Sequence, residues 1–463
     1  MRAEISGHNR FEKRDLAALA CVEIVGLIAR LIGIRNSLNY DEIFSLQAAN
    51  GSWQHTFQIA MGDRTHPPLH LLLLHVWTHL FGSSELAVRS MSVVFSLLFL
   101  FLVWKIARQH FSFTAAVISA SICALSPFFI GYGIENRPYS LVALLSVLSV
   151  DRLLAWVRCP NRPQLAVLFT ATGTCLILAQ YPGAVFVGAE IAILIILYRF
   201  RIATALLFPI TLLPGTAWYL VSKTLYTAQI SELIGWIEKP TVMDLITLPC
   251  SFLGWINLRH ASILLYLLML LALYGLISRF ATQTTDTKKH TLLLAILALS
   301  VPVSLYILSV VSGTSYWAGR QMIGSSAAAM LLVGAGVSFL PSTMRYATFT
   351  MLTLWAILAS YLGKPAVMGP EWREIASDIQ KRYPERPLVV SEEWCASPLE
   401  YYSKRTVEQS RIVSEQALTQ GAVFVCRPFD CSLIAQDPHL KRAMTYDDSS
   451  QSPTNTIWVF DEK

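Results

Sequence analysis

The sequence predicts a polytopic α-helical membrane protein of about 11 spans, closed at its C-terminal end by a small α/β domain. Three observations predict it. Of 463 residues, 54% are hydrophobic and only 14% charged, and mean hydropathy is +0.50, whereas a soluble domain is about one quarter charged. Apolar runs of about 16 to 24 residues recur from Leu16 to Leu362, each near the ~20 residues that cross hydrocarbon. After Lys364 the pattern becomes that of a soluble domain.

In chain order, residues 1–15 form a basic cytoplasmic N-terminus. The run from Leu16 has no small-residue cleavage site followed by a polar mature domain, so it reads as an uncleaved first span. The membrane module occupies 16–363, with spans at 16–34, 86–107, 113–131, 139–157, 164–181, 183–198, 202–221, 262–279, 291–311, 322–340 and 346–363. With the N-terminus inside, the inner connections collect Arg10, Lys13, Arg14, Lys105, Arg108, Arg152, Arg158, Arg162, Arg199, Arg201, Arg279, Lys288, Lys289 and Arg345, the expected positive-inside bias. The formal charge of +6 therefore reports on orientation, and no patch for nucleic acid is present.

The topology turns on His66 to Phe81. Its ~15 apolar residues reach only ~22 Å as a helix, short of the ~30 Å core. Residues His70, His75 and His79 interrupt it, and it reads as a helix at the outer interface with its histidines on the polar face. An odd number of crossings then leaves outer loops at 35–85 and 222–261 and puts 364–463 outside. That last region is helix-like over 372–383, strand-like over 387–391, 422–426 and 456–460, with helix possible around 397–403. An oxidising compartment allows one disulfide among Cys395, Cys426 and Cys431, the pair being open.

Polar chemistry gathers at the outer surface. Asn39-Tyr40-Asp41-Glu42 follows the first span and holds two carboxylates at the membrane surface, suited to general-base work or, equally, to capping a helix that begins near Ile43. Gly133 to Pro138 brings Glu135 and Arg137 to the same side, either to bind a metal or phosphate or as a solvated turn. Arg320, beside Tyr316 and Trp317, can fork onto phosphate or snorkel to lipid headgroups. His66, His70, His75 and His79 include pairs four apart, a metal-ligand spacing that lacks a matching acid. Glu23 and Arg30, within the first span, are expected to face protein or water, and Glu85 and Arg89 to pair. No Walker loop, dinucleotide-binding glycine fingerprint or Asp-x-Asp motif points to a nucleotide-sugar site.

These segments resemble the GT-C superfamily of membrane glycosyltransferases, specifically the bacterial relatives of protein O-mannosyltransferases and of the lipid A aminoarabinose transferase. The similar pieces are Asn39 to Glu42, Thr65-His66-Pro67-Pro68-Leu69-His70, Leu80 to Glu85 with Arg89, Glu135-Asn136-Arg137-Pro138-Tyr139, and Gly319-Arg320. The resemblance implies an inverting transfer from a polyprenyl-phosphate-linked sugar at the outer face of the inner membrane. Asp41 would be the base and Glu42 its support, while Glu135, Arg137, Arg320 and His66 would hold the donor and its phosphate. The acceptor is a lipid, polysaccharide or protein, and whether a divalent metal takes part is open. A transporter or flippase of lipid-linked precursors, and a noncatalytic scaffold, are the competing readings.

Overall fold

The computed structural model describes residues 12–462 apart from 64, 226–234, 236, 255–260, 363–368, 411, 429–430 and 447–455. Residues 1–11 with Arg10, parts of the 222–261 loop (226–234, 236 and 255–260) and the module boundary at 363/364 lie outside the described residues.

Each expected span coincides with a helix: α1 (Lys13–Leu31), α5 (Glu85–His110), α6 with α7 (Phe113–Leu125, Pro127–Ile134), α8 (Tyr139–Arg158), α9 (Pro163–Ala179), α10 (Gly183–Ile196), α11 (Leu207–Leu225), α13 (Ala261–Phe280), α14 (Thr285–Ser312), α15 (Ile323–Ser338) and α16 (Ser342–Leu362). Among the described residues six helices are long and apolar enough to cross a membrane, or seven if α6 and α7 count as one span bent by 61°. The expected 11 therefore stands above the number that length and composition support. The difference lies in α1, α9, α10 and α16. Of these, α9 and α10 have 17 and 14 residues, too short at ~1.5 Å per residue to cover ~30 Å alone. The outward faces are apolar, as lipid requires: Ile202, Leu213, Ile277 and Val311 are all exposed.

The break between α6 and α7 has a local cause. Ser126 precedes Pro127 and takes extended backbone (φ −62°, ψ 127°), because the proline ring disfavours helix at the preceding residue. The Ser126 hydroxyl then donates to the Phe252 carbonyl at 2.6 Å, tying the break to the described part of the 222–261 loop, which carries α12 (Val242–Ser251).

Between α1 and α5 lie three short helices, α2 (Tyr40–Ala49), α3 (Trp53–Gly62) and α4 (Leu69–Phe81). Of the three histidines of α4 only His79 is exposed, so they do not form a common polar face. His70 and His75 are each 3% exposed, and His75 Nδ1 lies 2.9 Å from the Ala49 carbonyl and 3.0 Å from Thr56 Oγ1. Because α2 and α3 fold over α4, the side that seemed polar packs inward. Arg30 faces protein, with its Nε donating to Ser96 Oγ at 2.6 Å. The expected Glu85–Arg89 pair does not form: Arg89 pairs with Glu42 at 2.6 Å and Glu85 with Arg373 at 2.6 Å.

The C-terminal region holds α17 (Trp372–Arg382), β1 (Leu388–Val390), α18 (Glu393–Ser403), β2 (Val407–Gln409), α19 (Glu415–Thr419), β3 (Val423–Cys426), α20 (Ser432–Ala435), β4 (Leu440–Tyr446) and β5 (Ile457–Glu462). They form one five-stranded sheet ordered β2-β1-β3-β5-β4, parallel in its first half and antiparallel in its second. Alternation along the strands serves two faces. Leu388, Val390, Val423 and Val425 pack with Trp372 and Ile379, while Val389, Phe424 and Cys426 pack with Ile434 and Phe460. Cys426 and Cys431 form the disulfide, and the buried Cys395 is not part of it. The domain docks on the segment after α1: Glu371 Oε2 accepts from the Ser37 N–H and hydroxyl at 3.2 and 3.0 Å, and the Leu38 N–H donates to Tyr402 Oη at 2.7 Å.

Candidate functional site

Helix α2 is started by a reciprocal cap. Asn39 Oδ1 accepts the Glu42 N–H at 2.9 Å and Glu42 Oε2 accepts the Asn39 N–H at 3.1 Å, the pattern that satisfies two otherwise orphaned donors. Asn39 thus does the capping that the sequence left open for Asp41. The half-buried Asp41 carboxylate accepts no hydrogen bond from the described residues, though it sits in a helix's first turn, where negative charge is favoured.

Glu42 is the opposite case. It is fully buried, and Arg89 donates to it from Nε and Nη2 at 2.8 and 2.6 Å. The Asn136 N–H adds a fourth donor at 2.9 Å, beside Arg89 and the Asn39 N–H. The remaining Arg89 hydrogens go to the carbonyls of Gly33, Ile34, Asn36 and Ser37. Every oxygen of Glu42 is spoken for, so it holds α2, α5 and the α7–α8 turn together rather than meeting a substrate.

That turn carries Glu135, Asn136 and Arg137. The Glu135 carbonyl accepts from Ser92 Oγ at 2.7 Å, which fixes the backbone. Its carboxyl is contacted on Oε1 by Asn39 Nδ2 at 3.5 Å, and Oε2 is buried without a partner. Burial, reinforced by the charges of Glu42 and Asp41, pushes this carboxyl up to about 8. Both side-chain polar atoms of the buried Asn136, and Arg137 Nε, also lack partners. Buried polar groups are nearly always satisfied, so this cluster of unmet donors and acceptors marks a place built for a polar ligand.

Arg137 joins the candidates. It donates through Nη1 to the Asp41 carbonyl at 3.3 Å and to Ser45 Oγ at 2.9 Å, and its Nη2 lies 3.2 Å from His66 Nε2. Asp63 Oδ2 stands 3.1 Å from His66 Nδ1. Arg137 Nη2 stands equally close, at 3.2 Å, to His66 Nδ1, so the guanidinium lies against both ring nitrogens while Asp63 faces Nδ1. Burial alone would raise the Asp63 carboxyl. His66, Arg137 and the Thr65 hydroxyl outweigh it and hold the group well below the usual carboxylate range. The sequence does not single out Asp63; its side chain pairs with His66 three residues on and accepts from the Thr65 hydroxyl and the N–H groups of Thr65 and His66. Behind it, burial pushes His70 down to about 3, with Arg137 and His66 adding to the shift, so His70 stays neutral. The neighbouring Arg64 lies outside the described residues.

Arg320 sits in a 3-10 turn, Gly319–Met322, ahead of α15. It lines a cavity of about 420 Å³ with Tyr132, Glu238, Trp317 and Gly319. Burial weakens its charged form, but Tyr139, Asp41, Tyr132 and Glu135 more than offset this. The carboxylates of α2 and the α7–α8 turn thus lie within electrostatic reach of the cavity's guanidinium. Among the described residues no trio of His, Cys, Asp and Glu is grouped to hold a metal ion.

Residues 65–222, about a third of the chain, match the family described as dolichyl-phosphate-mannose-protein mannosyltransferase. The match takes in His66, Arg89, Glu135 and Arg137, and leaves Asp41, Glu42 and Arg320 outside it. No curated protein matches the chain. Among solved structures the fold is similar to ArnT from Cupriavidus metallidurans in the apo state, at 14% identity and a TM-score of 0.57, covering 95% of this chain and 97% of that one. The same protein bound to undecaprenyl phosphate gives 15% identity and 0.53, covering 96% and 97%. The Archaeoglobus fulgidus oligosaccharyltransferase in the apo form gives 14% and 0.50, covering 85% of this chain and 64% of that one. The fold is thus similar to that of ArnT and of the archaeal oligosaccharyltransferase, and with several helices long and apolar enough to cross a bilayer the chain is a multi-pass membrane protein.

Proposed function

We propose that this protein transfers a sugar, with inversion, from a polyprenyl-phosphate donor to an envelope acceptor at the extracytoplasmic face of the inner membrane. The observation that carries the reading is Asp41, a carboxylate left uncommitted at the start of α2 because Asn39 caps the helix and Glu42 takes the ion pair.

In this reading Asp41 removes the proton from an acceptor hydroxyl, whose oxygen forms the new bond at the anomeric carbon. The bond from that carbon to the carrier phosphate breaks, and its electron pair leaves with the phosphate. Negative charge grows on the departing oxygens, where preorganised cations stabilise a transition state most. Arg320 on the cavity wall is suited to that position, and Arg137 orients Asp41 through its carbonyl. With the Glu135 carboxyl raised well above the usual carboxylate range and Glu42 paired with Arg89, Asp41 is the carboxylate of α2 and the α7–α8 turn left to act as base. A lipid-phosphate donor is supported by the structural likeness to a protein bound to undecaprenyl phosphate.

The test is a deletion strain complemented with wild type or Asp41→Asn at matched membrane levels, with envelope glycolipids and glycoproteins compared by mass spectrometry. Loss of a general base costs ~10² to 10⁴-fold, so the sugar mass is expected to return with wild type and not with the variant. Equal restoration by both would remove Asp41 as base and favour transport or scaffolding. The molecule that carries the mass identifies the acceptor as lipid, polysaccharide or protein.

A further inference from the structure

A second cavity, of about 340 Å³, lies at the other end of the bundle between the α13–α14 and α15–α16 turns, lined by Arg279, Thr282, Gln283, Ser338 and Arg345 among others. The two turns are held side by side by a backbone crossing. A Cβ at Gly275 would collide with the Gly336 carbonyl, and one at Gly336 with the Ala272 carbonyl, so α13 and α15 touch without intervening side chains about one turn before their ends.

The wall of this cavity presents donors. Gln283 Oε1 accepts from Thr291 Oγ1 at 3.5 Å, which leaves the amide Nε2, buried and without a partner. Arg345 gives Nη1 to the Ser338 carbonyl at 3.4 Å, while its Nε is buried and unmet. Arg279 is exposed at the rim. No Asp or Glu lines the cavity; the nearest acid in sequence, Asp286, shares the first turns of α14 with Lys288 and Lys289. A positive-inside bias accounts for arginines at this end of the bundle. It does not account for a cavity whose buried donors lack acceptors.

We propose that this cavity binds the phosphate of an anionic membrane phospholipid. Guanidinium and amide donors suit a phosphate's several acceptors, and basic pockets between membrane helices are a recurring headgroup site. The same helices supply what an acyl chain needs, since Ile277 of α13 and Tyr346 of α16 are exposed, at 65% and 63%. The Arg345 guanidinium lies 5.3 Å over the Tyr346 ring, placing charge and apolar surface next to each other. A free phosphate would use the donors and leave that apolar surface unused.

The experiment is native mass spectrometry on the delipidated full chain, titrated with phosphatidylglycerol, phosphatidylcholine or inorganic phosphate. Wild type, Arg279→Gln/Arg345→Gln and Arg162→Gln, a change on the same face away from the cavity, are compared. Phosphatidylglycerol is expected to bind wild type and Arg162→Gln alike, ahead of phosphatidylcholine, and to bind the double variant about ten-fold or more weakly. Equal binding to the double variant, an equal loss in Arg162→Gln, or full displacement by millimolar inorganic phosphate would each overturn the proposal, the last assigning the cavity to a soluble anion. If the double variant fails to fold, Arg345→Lys gives the same decision: a few-fold loss is expected because a lysine lacks the fork, and no loss overturns it.

Discussion

At Glu42 a carboxylate with less than a tenth of its surface exposed receives both arms of Arg89 and two backbone N–H groups. Breaking such a buried pair from one side typically costs about 3 to 5 kcal/mol, because the remaining charge is stranded. Glu42→Ala is therefore expected to lower the thermal midpoint of the purified protein sharply, and Glu42→Gln/Arg89→Met to recover much of the loss; a double variant as unstable as the single would show that the pair is not the cause. Glu135 yields a pH dependence. Its carboxyl is raised to about 8 from an ordinary value near 4.5, so the folded state holds a proton that the unfolded chain releases. Stability from this group is fully present below about pH 4.5 and is lost as pH rises toward 8. Glu135→Gln, which cannot ionise, is expected to flatten the fall of thermal midpoint between pH 5 and 8 relative to wild type, and an unchanged slope would assign the fall to another group. Neither assignment was legible in the chain. The motif Asn39 to Glu42 showed two carboxylates side by side, but which one is free depends on Arg89, 47 residues on, and on a backbone N–H from another loop.

Among the elements, α2 is the one on which the proposed chemistry depends, since its first turn carries Asp41 behind the Asn39 cap. Replacing an N-cap by alanine costs roughly 1 kcal/mol, and here it also loosens the turn that aims Asp41. Asn39→Ala is expected to lower the transfer rate by more than it lowers stability, with Asn39→Asp restoring most of the rate; a rate tracking stability alone in both variants would reduce the cap to a structural role. Run length and periodicity made the helices legible, as the agreement over α5, α8 and α14 shows. Crossing was harder to read, because α9 and α10 are short and their fit to the bilayer depends on their neighbours. The missed strands are both edge strands. β2 has three residues with only Val407 buried, and β4 carries Lys441 and Arg442 outward, a pattern that protects a sheet edge and hides strand character from an alternation test. In α4 the histidines misled for a related reason: polar residues mark an outer face only if nothing folds over it, and α2 and α3 do.

For the molecule as a whole, the two ends of the bundle are chemically distinct. One end carries Asp41, His66, Arg137 and Arg320, and on it the C-terminal domain is docked through Glu371 to Ser37, Arg373 to Glu85 and Tyr402 to Leu38. The other carries basic connections, with Arg108 bound to Asp15 at 2.7 Å and Lys105 to Asp151 at 2.7 Å, and beyond them the exposed Arg162, Arg201 and Arg279. Because the site and the sheet domain share an end, they share a side of the membrane whatever the number of crossings, and this removes the dependence on His66 to Phe81 that made the topology hard to read from the chain. The positive-inside bias makes the basic end the expected cytoplasmic one. A periplasm-active reporter fused after Lys463 is expected to be active, and a cysteine placed by Arg162→Cys to react with an impermeant thiol reagent only after the membrane is opened. An inactive reporter together with a cysteine labelled in intact cells would invert the protein, put Asp41 on the cytoplasmic side and require a donor presented there.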